Sequence, residues 1–66
     1  MKIKCPCCGK ETIEEKFDIC SLCLWENDPV QNKFVGFEGG ANKVCLAVAR
    51  ENYRNYGISD PSLKDE

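Results

Sequence analysis

The 66-residue sequence reads as a small α+β protein: a zinc-ribbon-like β-hairpin with two cysteine knuckles, followed by one C-terminal α-helix. Three features lead there. Four of the six cysteines form two Cys-x-x-Cys pairs, Cys5/Cys8 and Cys20/Cys23. Short runs of β-branched and aromatic residues lie between those pairs. Lys43 to Tyr56 then runs without Pro or Gly and carries an apolar stripe at helical spacing. A chain of this length makes one domain, and such domains bury only about 60% of their unfolded surface. Three Phe, two Tyr and one Trp are a thin supply of large apolar groups, so a staple besides hydrophobic burial is required. The expected domain covers residues 1–58, with a short polar tail over 59–66.

The first knuckle is Cys5-Pro6-Cys7-Cys8-Gly9. Two residues between ligands let the chain turn tightly enough for both sulfurs to face one ion. Pro6 pre-sets φ for that turn, and Gly9 accepts the left-handed backbone that follows. Thr12-Ile13 and Phe17-Asp18-Ile19 then read as two strands, with Glu14-Glu15-Lys16 at the tip between them. Ile13, Phe17 and Ile19 face inward together if the turn sets that register. The hairpin brings the second pair, Cys20-Ser21-Leu22-Cys23, opposite the first. Leu24-Trp25 follows it directly, and Trp25 is expected to join the core, covering the site.

Residues 26–41 read as an irregular connection. Asn27-Asp28-Pro29 is a turn signal, Gly36 and Gly39-Gly40 break regular structure, and Phe34, Val35 and Phe37 offer apolar anchors that pack the segment down. Asn42 is a good N-cap for a helix over Lys43–Tyr56, and Gly57 sits where a left-handed C-cap belongs. Leu46, Ala49, Tyr53 and Tyr56 make its stripe, and Arg50 and Arg54 suit the helix dipole. Asp60-Pro61 is expected to end regular structure.

The two pairs define a Cys₄ tetrahedral metal site from Cys5, Cys8, Cys20 and Cys23. A structural Zn²⁺ adds about 10–16 kcal/mol of apparent free energy in small peptides, which matches the whole net stability of a domain. Iron also suits four thiolates, but the second pair lacks the Pro and following Gly of an iron-type knuckle, so zinc is the expected ion. A disulfide framework fits less well. Residues 1–5 show no apolar signal segment, no long apolar run reads as a membrane span, and the expected location is the cytoplasm, where disulfides are rare.

Two cysteines remain. Cys7 occupies an x position of the first knuckle, where side chains point away from the metal; an inert or supporting thiol is the expectation. Lys4 and Lys10 nearby leave a reactive thiol, or an exchange of Cys7 for Cys5 or Cys8, as alternatives. Cys45 reads as a small residue at the helix start with no role in the site. Thioredoxin-like chemistry lacks its βαβ context. No His is present, and Glu26, Asp28 and Glu38 read as a solvated acidic loop, so no catalytic constellation emerges.

With these residues set out, the chain resembles the cysteine-rich CPCC family of small proteins. The resemblance rests on Cys5-Pro6-Cys7-Cys8-Gly9, on Ile19, Cys20, Cys23, Trp25, Glu26, Asp28, Val30 and Gln31, on Gly39-Gly40-Ala41-Asn42, and on helix residues from Leu46 to Gly57. It implies a small metal-binding domain and supplies no substrate. Family members commonly show Ser at the position of Cys45 and Glu at that of Val48, a capping box that is absent here. That Ser also implies that Cys45 is not a required ligand. Asn27 replaces a usual acidic residue, which weakens a second cation site at residues 26–28. Arg50 and Asn52 belong to the motif without following from periodicity. Arg50 is expected to pair with the Glu26/Asp28 loop and lock the helix to the knuckle.

The functional expectation is a non-enzymatic structural-zinc module presenting a surface to another protein. A zinc-ribbon nucleic-acid binder using Lys2, Lys4, Lys10, Lys43, Arg50 and Arg54 is the alternative; thiol or metal-responsive chemistry through Cys7 is a further one. The formal charge is −2. Four thiolates and one Zn²⁺ take it to −4, which disfavours a polyanionic partner.

Overall fold

The computed structural model describes residues 2–65; Met1 and Glu66, the outer ends of the expected domain and tail, lie outside the described residues. The fold is a small α+β arrangement. Strand β1 (Ile3–Lys4) pairs antiparallel with β2 (Glu11–Ile13), and the main helix, α2 (Leu46–Tyr56), follows later in the chain. Ile3 opposes Ile13 and Lys4 opposes Glu11, so Thr12 is an extra residue in its strand. Such a bulge re-aims a side chain, and here it matters for the site below.

The strand pairing differs from the expected hairpin. Residues 12–13 do not pair with 17–19; each cysteine pair instead sits at the end of its own chain reversal. The first is flanked by β1 and β2. Around the second, the Phe17 amide donates to the Asn27 carbonyl (2.8 Å), the Asn27 amide to Asp18 (2.8 Å), and the Cys20 amide to Trp25 (2.9 Å). Ile19 and Glu26 form an isolated bridge. The reason is local. A Cys-x-x-Cys turn already reverses the chain, so the residues either side meet at the lowest loop-closure cost. Residues 14–18 are folded into a separate tight turn by Asp18, whose carboxylate accepts the amides of Glu14 (2.9 Å) and Glu15 (3.0 Å). Ile13 is consequently buried, whereas Phe17 and Ile19 are exposed.

Residues 26–41 are also more ordered than expected. A short helix, α1 (Pro29–Lys33), begins at Asp28, whose carboxylate accepts the amides of Val30 (2.9 Å) and Gln31 (3.4 Å). Asp followed by Pro is a helix start as well as a turn signal. The expected apolar anchors do not hold this segment: Phe34, Val35 and Phe37 are 57%, 42% and 43% exposed. A buried polar network holds it. Gln31, fully buried, donates from Nε2 to the carbonyls of Phe37, Asn42 and Val44 at 3.2–3.4 Å. Its Oε1 accepts from the amide and the side chain of Asn42, both at 2.9 Å. Gly40 passes so close that a Cβ there would lie 2.5 Å from Asp28 Oδ2 and 2.6 Å from Gln31.

Helix α2 starts at Leu46, three residues later than expected, with Cys45 as a cap that makes no side-chain hydrogen bond. Asn42 is unavailable as the cap. Its Oδ1 accepts the Glu26 amide (2.8 Å) and its Nδ2 donates to the Glu26 carbonyl (2.9 Å), so it bridges two segments instead. The C-terminus is as expected: Gly57 at φ 76° donates its amide to the Tyr53 carbonyl. Leu46 and Ala49 are buried and Tyr53 partly so, but Tyr56 points outward. Regular structure does not end at Asp60-Pro61, since Pro61–Asp65 forms a 3-10 helix. Ser59 is buried; its amide donates to the Cys23 carbonyl (2.8 Å) and its carbonyl accepts from Asn52 Nδ2 (2.9 Å). That contact explains Asn52. The core groups Ile13, Trp25, Leu46 and Ala49 with Cys5, Cys7, Cys20 and Cys23.

Candidate metal centre

The two cysteine turns share one backbone design. The Gly9 amide donates to the Cys5 carbonyl (2.8 Å) and the Leu24 amide to the Cys20 carbonyl (2.9 Å). The Cys5 amide reaches Lys10, and the Cys20 amide reaches Trp25, at the same spacing. Both turns need a left-handed residue just after the second cysteine, at φ 80° for Gly9 and 68° for Leu24. Glycine adopts that region freely, whereas a leucine there costs roughly 1–2 kcal/mol. The second turn is held regardless.

Together the turns bring the side chains of Cys5, Cys8, Cys20 and Cys23 to one point, their sulfurs all within 4.8 Å of one another. Cys5 and Cys23 are 3.6 Å apart, and Cys8 and Cys20 are 3.7 Å apart. A disulfide would need about 2.05 Å, and all six cysteines are free. A metal held by four thiolates at about 2.3 Å has tetrahedral edges of about 3.8 Å. The two short edges match those of a tetrahedral ion, and the remaining sulfur separations stay within 4.8 Å.

Donors converge on the same sulfurs. Leu22 and Cys23 amides lie 3.4 Å from Cys20 Sγ, and the bulged Thr12 donates its hydroxyl to that sulfur at 3.0 Å. Burial alone would raise the Cys20 thiol; the Cys23 amide, Thr12 and the Leu22 amide outweigh it and bring the pKa down to about 6. The Cys5 thiol goes the other way, pushed up by its hydrogen bond with Cys23 and by burial, against the amides of Cys8 and Cys7. Cys8 is raised by burial, opposed by the Lys10 amide. At Cys23 the Cys5 contact favours the thiolate, but the Cys7 sulfur and burial prevail and raise the thiol. Four crowded sulfurs do not all ionise alone, and a bound cation is what allows them to.

Cys7 is not among the four, yet it is buried (8% exposed) in the same core, beside Cys23. Cys45 is buried at the start of α2, outside that core group. Trp25 is fully buried in the core with the sulfurs, and its indole N–H donates to Asn32 Oδ1 (3.0 Å). Arg50 does not pair with the Glu26/Asp28 loop. Its Nε donates to the Pro6 carbonyl (2.9 Å), tying α2 to the first cysteine turn. Asp28 is engaged by the amides of Ala41, Val30 and Gln31. Tyr53 packs against the cluster from α2, and its phenol is raised first by burial and then by the neighbouring sulfurs.

Sequence reasoning missed Thr12 and Gln31. Thr12 is placed by a bulge that no local signal announces. Gln31 stands among the residues that carry the resemblance, but nothing local to it shows that it is buried and joins three carbonyls. No helix among the described residues is long and apolar enough to cross a membrane. The model of the family described as Cysteine-rich CPCC matches residues 3–66. Comparison with curated proteins gives no match.

Proposed function

The chain belongs to the cysteine-rich CPCC family, and on that premise we propose that it is a zinc-ribbon-like module in which Cys5, Cys8, Cys20 and Cys23 hold one structural Zn²⁺. The observation that carries this reading is the sulfur tetrad, with 3.6 and 3.7 Å edges against the about 3.8 Å of a tetrahedral zinc–thiolate site. Four thiolates fill the coordination shell. No position is left for water or substrate, which supports a structural role over a catalytic one.

The bound ion holds four thiolates together at neutral pH; the chain does the rest. The two turns preset the sulfur positions, amide and Thr12 donors offset the charge, and Trp25 and Tyr53 limit water access. Arg50 and the Ser59–Cys23 contact couple α2 and the segment after it to the two turns. Loss of the ion should thus unfold more than the turns themselves.

A protein partner is the preferred ligand of the outer surface. Support comes from apolar side chains exposed around α1, including Val30, Phe34, Val35 and Phe37, and from an acidic balance that a polyanion would not favour. The module is read as cytoplasmic, where reduced thiols persist.

Native mass spectrometry of the chain made without added metal tests the central claim. One zinc per chain is expected, with far-ultraviolet and near-ultraviolet circular dichroism lost on chelation. A metal-free chain with the same folded spectrum would overturn it. Salt-titrated binding to DNA and RNA separates the partner classes: affinity that falls steeply with salt would replace the protein-partner reading.

A further inference from the structure

The four sulfurs are not equivalent. Cys5, Cys20 and Cys23 are between 0% and 1% exposed, whereas Cys8 is only partly buried. Donors are unevenly shared as well. Cys20 receives two amides and the Thr12 hydroxyl. Cys8 meets the Cys20 sulfur and the Lys10 amide. Fewer donors leave more electron density on a thiolate, and access decides whether a reagent meets it. The two sulfurs outside the tetrad offer no easier target, because Cys7 is 8% and Cys45 5% exposed.

We propose that Cys8 is the modification site of the cluster: the thiolate that soft electrophiles and hydroperoxides reach first, with Cys20, 3.7 Å away, as the sulfur that resolves it. The inference rests on the zinc reading for its consequence, release of the metal. With a hydroperoxide, the Cys8 sulfur attacks the terminal oxygen, an S–O bond forms and the O–O bond breaks. Cys8 becomes a sulfenic acid and the peroxide, having taken two electrons and a proton, leaves as water or an alcohol. Cys20 then attacks the Cys8 sulfur. The S–S bond forms as the S–O bond breaks, and hydroxide leaves as water with one further proton. Two thiolates are oxidised, one peroxide is reduced, and Zn²⁺ loses two of its four ligands. Cys5 and Cys23, at 3.6 Å, remain as a pair that no longer closes a tetrahedral site.

The cluster is then a sensor whose entry point is set by burial and whose output is unfolding. Vicinal Cys7 is not the resolving sulfur in this scheme. Bridging adjacent residues strains the backbone between them, whereas Cys20 approaches from the other turn and its side chain already faces Cys8.

The test uses the zinc-loaded full chain, with stoichiometry fixed first by native mass spectrometry. Substoichiometric N-ethylmaleimide, and hydrogen peroxide in a separate arm, are quenched early and each adduct is placed by fragmentation. Cys8 is expected to carry at least ten times the early maleimide adduct of any other cysteine. Peroxide is expected to give a Cys8–Cys20 bridge with one zinc released per bridge. A first adduct on Cys7, Cys45 or another ligand, or a Cys7–Cys8 bridge, overturns the assignment. If the starting protein holds no zinc, the zinc reading fails and the release step with it. The adduct map still decides the order of reactivity, so the two failures are told apart.

Discussion

Replacing Gln31 with Leu or with Glu tests whether polar contacts, not apolar anchors, hold the long connection. Gln31 is fully buried, and its amide serves three carbonyls and two donors of Asn42. Leucine keeps the volume and removes both functions. Leaving a buried donor or acceptor without a partner costs about 1–3 kcal/mol. The Phe37 carbonyl belongs to a residue that is 43% exposed and regains water, which leaves the Asn42 groups and the Val44 carbonyl as the main losses. Asn42 and Val44 are themselves only half-buried, so these losses lie toward the low end of that range and total about 2–4 kcal/mol. Gln31→Glu is the sharper variant. It keeps the shape and the acceptor but turns the donor into an oxygen aimed at three carbonyls, so its penalty should be at least as large as that of Leu. Urea unfolding of the zinc-loaded chain measures both. With a slope of about 1 kcal/mol per molar for so small a protein, the midpoint should fall by about 2–4 M while zinc stoichiometry stays at one per chain before unfolding. A fall below about 0.5 M for both variants would refute the argument, and would return the segment to its apolar residues.

Three further outcomes follow from the same geometry. Thr12→Val removes the hydroxyl from Cys20 Sγ at constant shape, and should weaken zinc about ten-fold in chelator competition; an unchanged affinity would show that the amides suffice. Gly9→Ala adds a Cβ into open space, so only the backbone at φ 80° resists it. The expected loss is about 1–2 kcal/mol in urea unfolding, and a neutral result would mean the turn relaxes without cost. The Asp28 carboxyl is held below its usual range, chiefly by the Ala41 amide against burial, and by Val30 and Gln31. A carboxyl lowered in the native state stabilises above the unfolded value of about 3.9 and loses that contribution as pH falls through the lower native value. The stability gap between the wild-type chain and Asp28→Asn should therefore be widest near neutral pH and narrow on acidification; a gap constant with pH would show that Asp28 acts only by shape.

The parts of the molecule legible in the sequence are those written in local chemistry. The four sulfurs could be paired because a Cys-x-x-Cys turn is built within a few residues, and Pro6 and Gly9 mark it. Gly57 ended α2 for the same reason, since a single left-handed residue decides a C-cap. What stayed hidden depends on contacts distant in sequence. Asn42 looks like a cap when read alone, but Glu26 claims it from sixteen residues away, and α2 starts at Leu46 instead. Arg50 suggested an ion pair with acidic residues; its Nε instead donates to the Pro6 carbonyl, forty-four residues away, a contact that no local pattern signals. The strand pairing failed for a different reason. Both halves of the expected hairpin carry residue types that favour strands, yet Phe17 turns left-handed at φ 63° and only Ile19 joins a bridge, to Glu26.

One consequence joins the hidden part to the surface. A small domain must spend its few large apolar residues carefully, and this one places Trp25, Ile13 and Leu46 around the sulfurs. The connection that closes over them is then secured by Asp28, Gln31 and Asn42, whose hydrogen bonds need little apolar area. That arrangement frees Val30, Phe34, Val35 and Phe37 from holding the segment, and they stand 42–57% exposed. Their exposure supports the proposed protein contact, while the polar residues beneath them bear on the fold. Substituting Phe34 by Ser should change the stability read from urea unfolding by less than about 0.5 kcal/mol, whereas Gln31→Leu should change it by more. The reverse order of effects would place the anchors back where the sequence alone suggested them.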